Sequence, residues 1–186
     1  MNDYDYKINV RSAQDGDASQ IAEIYNQCIE DRTATFETEL RTENSMREWL
    51  IDHQNNHHPV LVAIVEREYS TSERAKDLPL ISGWTSASTY RPRSCYSGIG
   101  EFSVYVRKGY RRRGIGEKLL LGLADEARQL GYWKLLSRIF TFNTASRELC
   151  KKCGFREVGI YEKHGKLDGR WLDTVIVERL IPENLV

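Results

Sequence analysis

One stretch constrains this chain more than any other. It is Glu101-Phe-Ser-Val-Tyr-Val-Arg107, then Lys-Gly-Tyr, then Arg111-Arg-Arg-Gly114-Ile-Gly116-Glu-Lys-Leu119. The first part alternates. Glu101, Ser103, Tyr105 and Arg107 fall on one face, and Phe102, Val104 and Val106 on the other, as in a strand. Beyond the loop, Ile115, Leu119, Leu123 and Ala127 recur at four-residue steps, and Gly131 follows. That is the pattern of an amphipathic helix stopped by glycine. A strand thus enters a helix through a glycine-bearing loop.

The loop has its own chemistry. Gly114 and Gly116 let a backbone approach a ligand closely. The unbonded amides of a helix's first turn form an anion site, strengthened by the helix dipole. Arg111, Arg112 and Arg113 add donors and positive charge. Physically this is a cradle for a pyrophosphate; the plain alternative is a surface turn with a charge cluster. It is neither a dinucleotide fingerprint, whose three-glycine spacing is absent, nor a Walker loop, whose Gly-Lys-Ser/Thr ending is absent.

Around this segment, strand-like and helix-like patterns alternate without a repeat or a linker, so we expect one domain over residues 1–186. Strands are expected at 7–11, 60–65, 80–89, 100–107, 134–140, 155–163 and 171–180. Helices are expected at about 17–29, 42–54, 114–130 and 146–153, and an exposed polar loop over 66–79. The order β-α-α-β-β-β-α-β-α-β-β predicts a mixed α/β sheet. Val60–Val65 is apolar throughout, as a strand covered on both faces would be. The 27 basic and 27 acidic residues cancel, which argues against a general nucleic-acid binder. No apolar run approaches the roughly 20 residues of a membrane span. The N-terminal residues do not read as a signal peptide, and four cysteines do not make a disulfide scaffold. A cytoplasmic protein with reduced thiols is expected.

Arg111-x-x-Gly114-x-Gly116 after Val-Tyr-Val resembles the coenzyme A signature of the GNAT N-acetyltransferase superfamily, and the element order is that superfamily's order. Further segments resemble its phosphinothricin, methionine sulfoximine and arsinothricin acetyltransferase branch. They are Thr35-Phe-Glu-Thr38, Gly83-Trp84, Tyr90-Arg-Pro-Arg-Ser-Cys-Tyr96, Glu101–Val106 and Gly169-Arg-Trp-Leu-Asp173. The resemblance implies acetyl-CoA as co-substrate, lying in a splay between strands 100–107 and 134–140. It implies that the backbone of Val104, Tyr105 and Val106 meets the pantetheine. The amides and side chains of Arg111, Arg112, Arg113, Gly114, Ile115, Gly116 and Glu117 would hold the pyrophosphate. Asn143 and Ser146 would touch the coenzyme; Asn143 also reads as a helix cap. Branch members commonly form homodimers and take a small amine acceptor, including detoxified compounds. The same is expected here, with no metal, nucleic acid or membrane partner.

Transfer to an amine needs a neutral amine, and hence a base. Glu101 stands at the branch's catalytic glutamate. A carboxylate at the start of a core strand is costly unless used or paired, and burial would raise its pKa; the plain alternative is a salt-bridged strand end. Where the branch often carries a histidine, the last helix has Leu149-Cys150, so no dedicated acid for the leaving thiolate is evident. Cys150 reads as a small core residue. Arg91 and Arg93 are expected to grip the acceptor's oxyanions, with Phe36, Trp84 and Tyr96 as an apolar wall. Cys150-x-x-Cys153 lacks the partners of a zinc site. His53, His57 and His58 read as a solvated helix end, and His164 as a surface residue. A polyamine or protein amine as acceptor, and a non-catalytic acyl-CoA-binding module, are the competing readings.

Overall fold

The computed structural model describes residues 7–66 and 79–185, with only the backbone at Glu66. The elements are β1 (Lys7–Ser12), α1 (Ala18–Asp31), α2 (Glu43–Asn55), β2 (Val60–Glu66), β3 (Ile81–Thr89) and β4 (Ile99–Val106). They continue with α3 (Ile115–Gln129), β5 (Lys134–Phe140), α4 (Thr144–Lys152), β6 (Arg156–Leu167) and β7 (Arg170–Leu180). The expected order is met, most ends within two residues. The loop expected over 66–79 lies, apart from its ends, outside the described residues.

All seven strands join one mixed sheet in the order β1-β2-β3-β4-β5-β7-β6. The sheet is covered on both sides. α3 and α4 bury Ile115, Leu119, Leu123, Ala127 and Cys150 against Leu61, Ala63, Phe102, Leu135 and Val175. α1 and α2 bury Ile21, Ile24, Met46 and Leu50 against Val60, Val62, Ile81, Trp84 and Tyr105. β2 supplies both cores, Leu61 and Ala63 to one and Val60 and Val62 to the other, so its run has no polar face.

Two local devices fix the parity of the central strands. The β2–β3 register shifts between Ala63 and Ile64, which pair with Gly83 and Ile81. This bulge leaves Ser82 extra, so Ile81 and Trp84 reach the same core although they are three residues apart. Gly83 lies under α3; a Cβ there would sit 2.8 Å from the Tyr105 carbonyl oxygen and 3.1 Å from Ile115 and Leu119. Only glycine lets α3 approach β3 and β4 so closely.

The β6–β7 hairpin is longer than expected. Its turn is Asp168-Gly169, both with positive φ (45° and 81°), and its register shifts between Tyr161 and Gly165. The polar run Glu162–Lys166 has no clean alternation, which hid the end of β6 in the sequence. Among the described residues no helix is long and apolar enough to cross a membrane.

Candidate active site

β4 and β5 are parallel neighbours for only three residue pairs: Ile99↔Lys134, Gly100↔Leu135 and Glu101↔Leu136. At the closed end, the Trp133 and Lys134 amides both donate to the Gly98 carbonyl (2.8 and 3.2 Å). Beyond Glu101 the strands part. β4 remains on β3 as far as Gly83↔Val106, and β5 remains on β7 as far as Phe140↔Thr174. The gap is therefore lined by backbone. The Arg107 amide donates to Ser82 on the β3 side, and the Ser103 carbonyl accepts from Thr85 Oγ1 on the same side. By alternation the peptide groups of Val104 and Val106 face the gap.

The gap leads to the start of α3. Lys118 is the first residue whose amide is satisfied by the helix, from the Gly114 carbonyl (3.1 Å), so the amides before it point outward. The loop reverses through Gly109, Arg112 and Gly114, all with positive φ (83°, 63° and 78°). Open space stands where a Gly114 Cβ would be. Arg111 is tied down, its guanidinium donating to Asp31 (3.1 Å) and to the Val106 carbonyl (3.3 Å). Arg113 stacks on Tyr110, 5.2 Å from the ring centroid, and Arg112 is exposed. Ile115 is buried in the core, so only its backbone faces the loop. Glu117 pairs with Lys152 (2.6 Å).

Gly116 differs from expectation. A Cβ there would meet Leu149 at 2.8 Å, so its smallness serves the contact of α3 with α4. Asn143 caps α4. Its Oδ1 accepts from the Ser146 amide (3.1 Å), and its Nδ2 donates to the Thr33 carbonyl (3.0 Å). Cys150 lies in the core, where burial first and Cys153 second push its thiol up to about 12.

On the other side of the sheet, below α1 and α2, lies a cavity of about 340 Å³. Glu101, Ser103 and Tyr105 of β4 line it with Trp84, Ser86 and Ser88 of β3. The α side supplies Tyr25, Trp49 and His53, and the α1–α2 loop supplies Glu37 and Arg41. The alternation expected of β4 is thus the one observed. Tyr105 packs 4.9 Å from Tyr25 and 4.8 Å from Trp84, and burial pushes both phenols up, so both stay protonated. Glu101 is not deeply buried as expected. Its side chain is 28% exposed and ion-paired to Arg138 of β5 across the point where the strands part.

The expected acceptor-binding set is only partly assembled. Trp84 lines the cavity. Arg91 and Arg93 do not: both are exposed and stack over their own neighbours Tyr90 and Tyr96 (5.1 and 6.0 Å), and Tyr96 stays with them. Phe36 packs edge-on against Phe140 (4.8 Å) and under Gly165, on the β6–β7 hairpin. The cation on the cavity wall is Arg41. Its backbone is clamped by Asn26 at both N–H and C=O (2.7 and 2.9 Å), and its guanidinium pairs with Glu37 (2.9 Å).

His53 also overturns an expectation. It is 6% exposed, stacks on Trp49 at 4.0 Å and lies 3.0 Å through Nδ1 from the Trp49 carbonyl. Its position on the inner face of α2, with Met46 and Leu50, was the available signal.

A splayed parallel pair ending at a helix start rich in free amides, with a carboxylate at the fork, defines an acyl-coenzyme A-dependent transferase. The comparisons with known proteins agree. Residues 20–155 match the acetyltransferase (GNAT) family, and the chain belongs to it. It is an N-acetyltransferase with acetyl-CoA as co-substrate. It is 30% identical to a phosphinothricin N-acetyltransferase of Streptomyces coelicolor, over 93% of this chain and 96% of that one. It is 31% identical to an L-methionine sulfoximine/L-methionine sulfone acetyltransferase of Pseudomonas aeruginosa, over 91% and 92%. A phosphinothricin acetyltransferase from Sinorhizobium meliloti, solved with acetyl-CoA, superposes with a TM-score of 0.81 at 29% identity, covering 94% and 88%.

Burial holds the pKa of His53 below its ordinary value of 6.5. The unfolded chain therefore takes up a proton near 6.5 that the folded one resists, so stability present above that pH is lost as pH falls toward the folded value. Tm should fall between pH 7.5 and 5.5, and less in His53→Gln than in the wild type. An equal fall in both proteins would show that His53 does not contribute.

Proposed function

We propose that this enzyme acetylates the α-amino group of a small amino-acid-like acceptor, of the phosphinothricin, methionine sulfoximine or arsinothricin type, with Glu101 as general base. The observation that carries the reading is the place of Glu101. It lines the acceptor cavity from the residue at which β4 leaves β5. A base there touches both compartments: the gap for the thioester and the cavity for the amine.

The coenzyme runs along the gap. The peptide groups of Val104 and Val106 bond its pantetheine arm, as an added strand would. The outward amides from Arg112 to Glu117 take its pyrophosphate. Arg111 is structural, since it braces the loop on Asp31. Asn143 and Ser146 stand at the start of α4, and any contact that Asn143 makes with the coenzyme adds to its capping bonds. The acceptor ammonium gives one proton to Glu101, the freed lone pair forms an N–C bond to the acetyl carbonyl as the C–S bond breaks, and the nitrogen's second surplus proton passes to solvent. The leaving thiolate takes a proton from water, because Cys150 is sealed in the core.

Size and charge favour a small zwitterion over the competing acceptors. The cavity, about 340 Å³, is at the low end of the ~300–1,000 Å³ of small-molecule sites. Its wall carries Arg41 beside Glu37, and its lining residue Glu101 is paired from outside the wall by Arg138. A polycation would want the carboxylates without the arginines. We also assign a homodimer. β6 is exposed along nearly its whole length, and Ile160 and Trp171 are 57% and 59% exposed on the hairpin. A second copy of this chain is the partner that would cover them.

Gly114→Val should raise the KM for acetyl-CoA about tenfold or more with kcat less affected, because a β-branched residue at this φ is strained by of order 1–3 kcal/mol. An unchanged KM in a folded variant would remove the loop from the coenzyme site. In sedimentation the wild type should have twice the 21.6 kDa chain mass, and Ile160→Glu should be monomeric; a monomeric wild type would refute the dimer. Glu101→Gln should keep the KM for acetyl-CoA and lower kcat by about 10²–10⁴-fold near neutral pH, with the deficit shrinking at high pH, where more of the amine is already neutral. Near-wild-type kcat at pH 7 would make Glu101 a structural carboxylate.

A further inference from the structure

One charge at the fork, Arg138, has no part in the proposed transfer. Arg138 is on β5, two residues past the last pair with β4. Its backbone is paired only on the other side, opposite Ile176 of β7. Its side chain is 38% exposed and reaches across the fork to Glu101 through Nη2. Among the described residues it makes no other hydrogen bond or ion pair. A guanidinium offers five N–H donors in a planar fork, so most of its donors remain after the Nη2 bond to Glu101.

We infer that Arg138 selects acceptors that carry a carboxylate on the amine-bearing carbon, by holding that carboxylate on the guanidinium edge Glu101 leaves free. This deepens the proposed function and rests on its assignment of Glu101 as base and of an amino acid as acceptor. In an α-amino acid the amine and the carboxylate share one carbon. A guanidinium that bonds Glu101 on one edge and the acceptor carboxylate on the other therefore sets the acceptor amine beside Glu101. The ammonium form is drawn to the same place, because Glu101 is the carboxylate next to it. A planar two-edged cation suits this bridging, whereas an ammonium lacks two parallel edges.

The other arginines are worse placed. Arg91 and Arg93 are spent on tyrosine faces outside the cavity. Arg41 pairs with Glu37 and touches no group of the transfer machinery. Arg138 touches the proposed base itself.

The test compares L-methionine sulfone with its α-carboxamide, which keeps the amine and side chain and removes only the carboxylate. The wild type should prefer the acid. Arg138→Met should lower kcat/KM for the acid about 10- to 150-fold, mainly through KM, as expected for loss of one charge-assisted pair. The carboxamide should lose clearly less than the acid, because it feels only the loss of the Arg138 contact with Glu101; the KM for acetyl-CoA should not move, and Arg138→Lys should recover part of the loss. Arg138 is partly exposed, so the variants should fold; melting curves check this. An equal loss on both acceptors would mean that Arg138 merely holds Glu101 and would overturn the inference. So would a wild-type preference for the acid that survives in Arg138→Met, and either result leaves the proposed acceptor class standing. A wild type that turns over neither compound, or shows no preference, would instead overturn the acceptor class and this inference together.

Discussion

Everything functional in this fold follows from how little β4 and β5 pair. Three residue pairs hold them, reinforced at the closed end by the Gly98 carbonyl, which takes both the Trp133 and Lys134 amides. Trp133 also seals that end sterically, since a Cβ on Gly98 would meet its ring at 2.0 Å. Each strand is then committed to its outer neighbour, β4 to β3 and β5 to β7, over seven pairs apiece. Among the described residues, the inner edges beyond Glu101 carry peptide groups that no neighbouring strand pairs, and of these the Val106 carbonyl is reached only by the Arg111 guanidinium (3.3 Å). Unpaired backbone is costly when buried and out of reach of water. A gap kept open by firm pairing on both sides is therefore built to receive backbone-like amides from a ligand. The pantetheine arm has such amides.

The fold was legible because its signals are periodic. The four-residue stripe of α3, the unbroken apolar run of β2 and the strict alternation of β4 each report a burial pattern that the packing then demands. The cradle was legible for a related reason. A positive φ at Gly114 and free first-turn amides are local properties, written in a few neighbouring residues. Gly116 was misread because its constraint is not local. What crowds it is Leu149, 33 residues on. The bulge at Ser82 likewise leaves no mark in the pattern of β3, yet it decides which face Ile81 takes.

The proposed acceptor cavity was the least legible part, because it is assembled from five elements, α1, the α1–α2 loop, α2, β3 and β4. Proximity in sequence to Glu101 pointed to Arg91 and Arg93, but the loop that carries them turns outward and their guanidinium groups settle on adjacent tyrosines. The cations near the cavity come instead from the α1–α2 loop and from β5, namely Arg41 and Arg138, which are distant in sequence from each other and from Glu101. His53 was lost in the cluster His53-Gln-Asn-Asn-His57-His58, whose composition reads as solvated. Only the first of these histidines falls on the inner stripe of α2, where the preceding buried residues Met46 and Leu50 place it.

The sheet separates grip from choice. In the proposed reading the coenzyme's pyrophosphate is met by amides of the loop that opens α3, and those amides depend on backbone geometry alone. The proposed acceptor cavity is lined by side chains of α1, the α1–α2 loop, α2 and the strand faces below them. The two compartments join where Glu101 and Arg138 face each other across the fork. A substitution in the cavity can therefore change which amine is accepted without loosening the coenzyme, whereas a change in the strand register at Glu101 would damage both. The side chains that make the choice are packed on one another. Trp49 lies between His53 and Trp84 (4.0 and 5.5 Å), and Trp84 lies against Tyr105. Replacing one of them changes the shape offered by the rest. The shape of the proposed acceptor cavity is for that reason a property of the aromatic cluster as a whole, whereas the charge it meets at the fork rests on the single pair Glu101–Arg138.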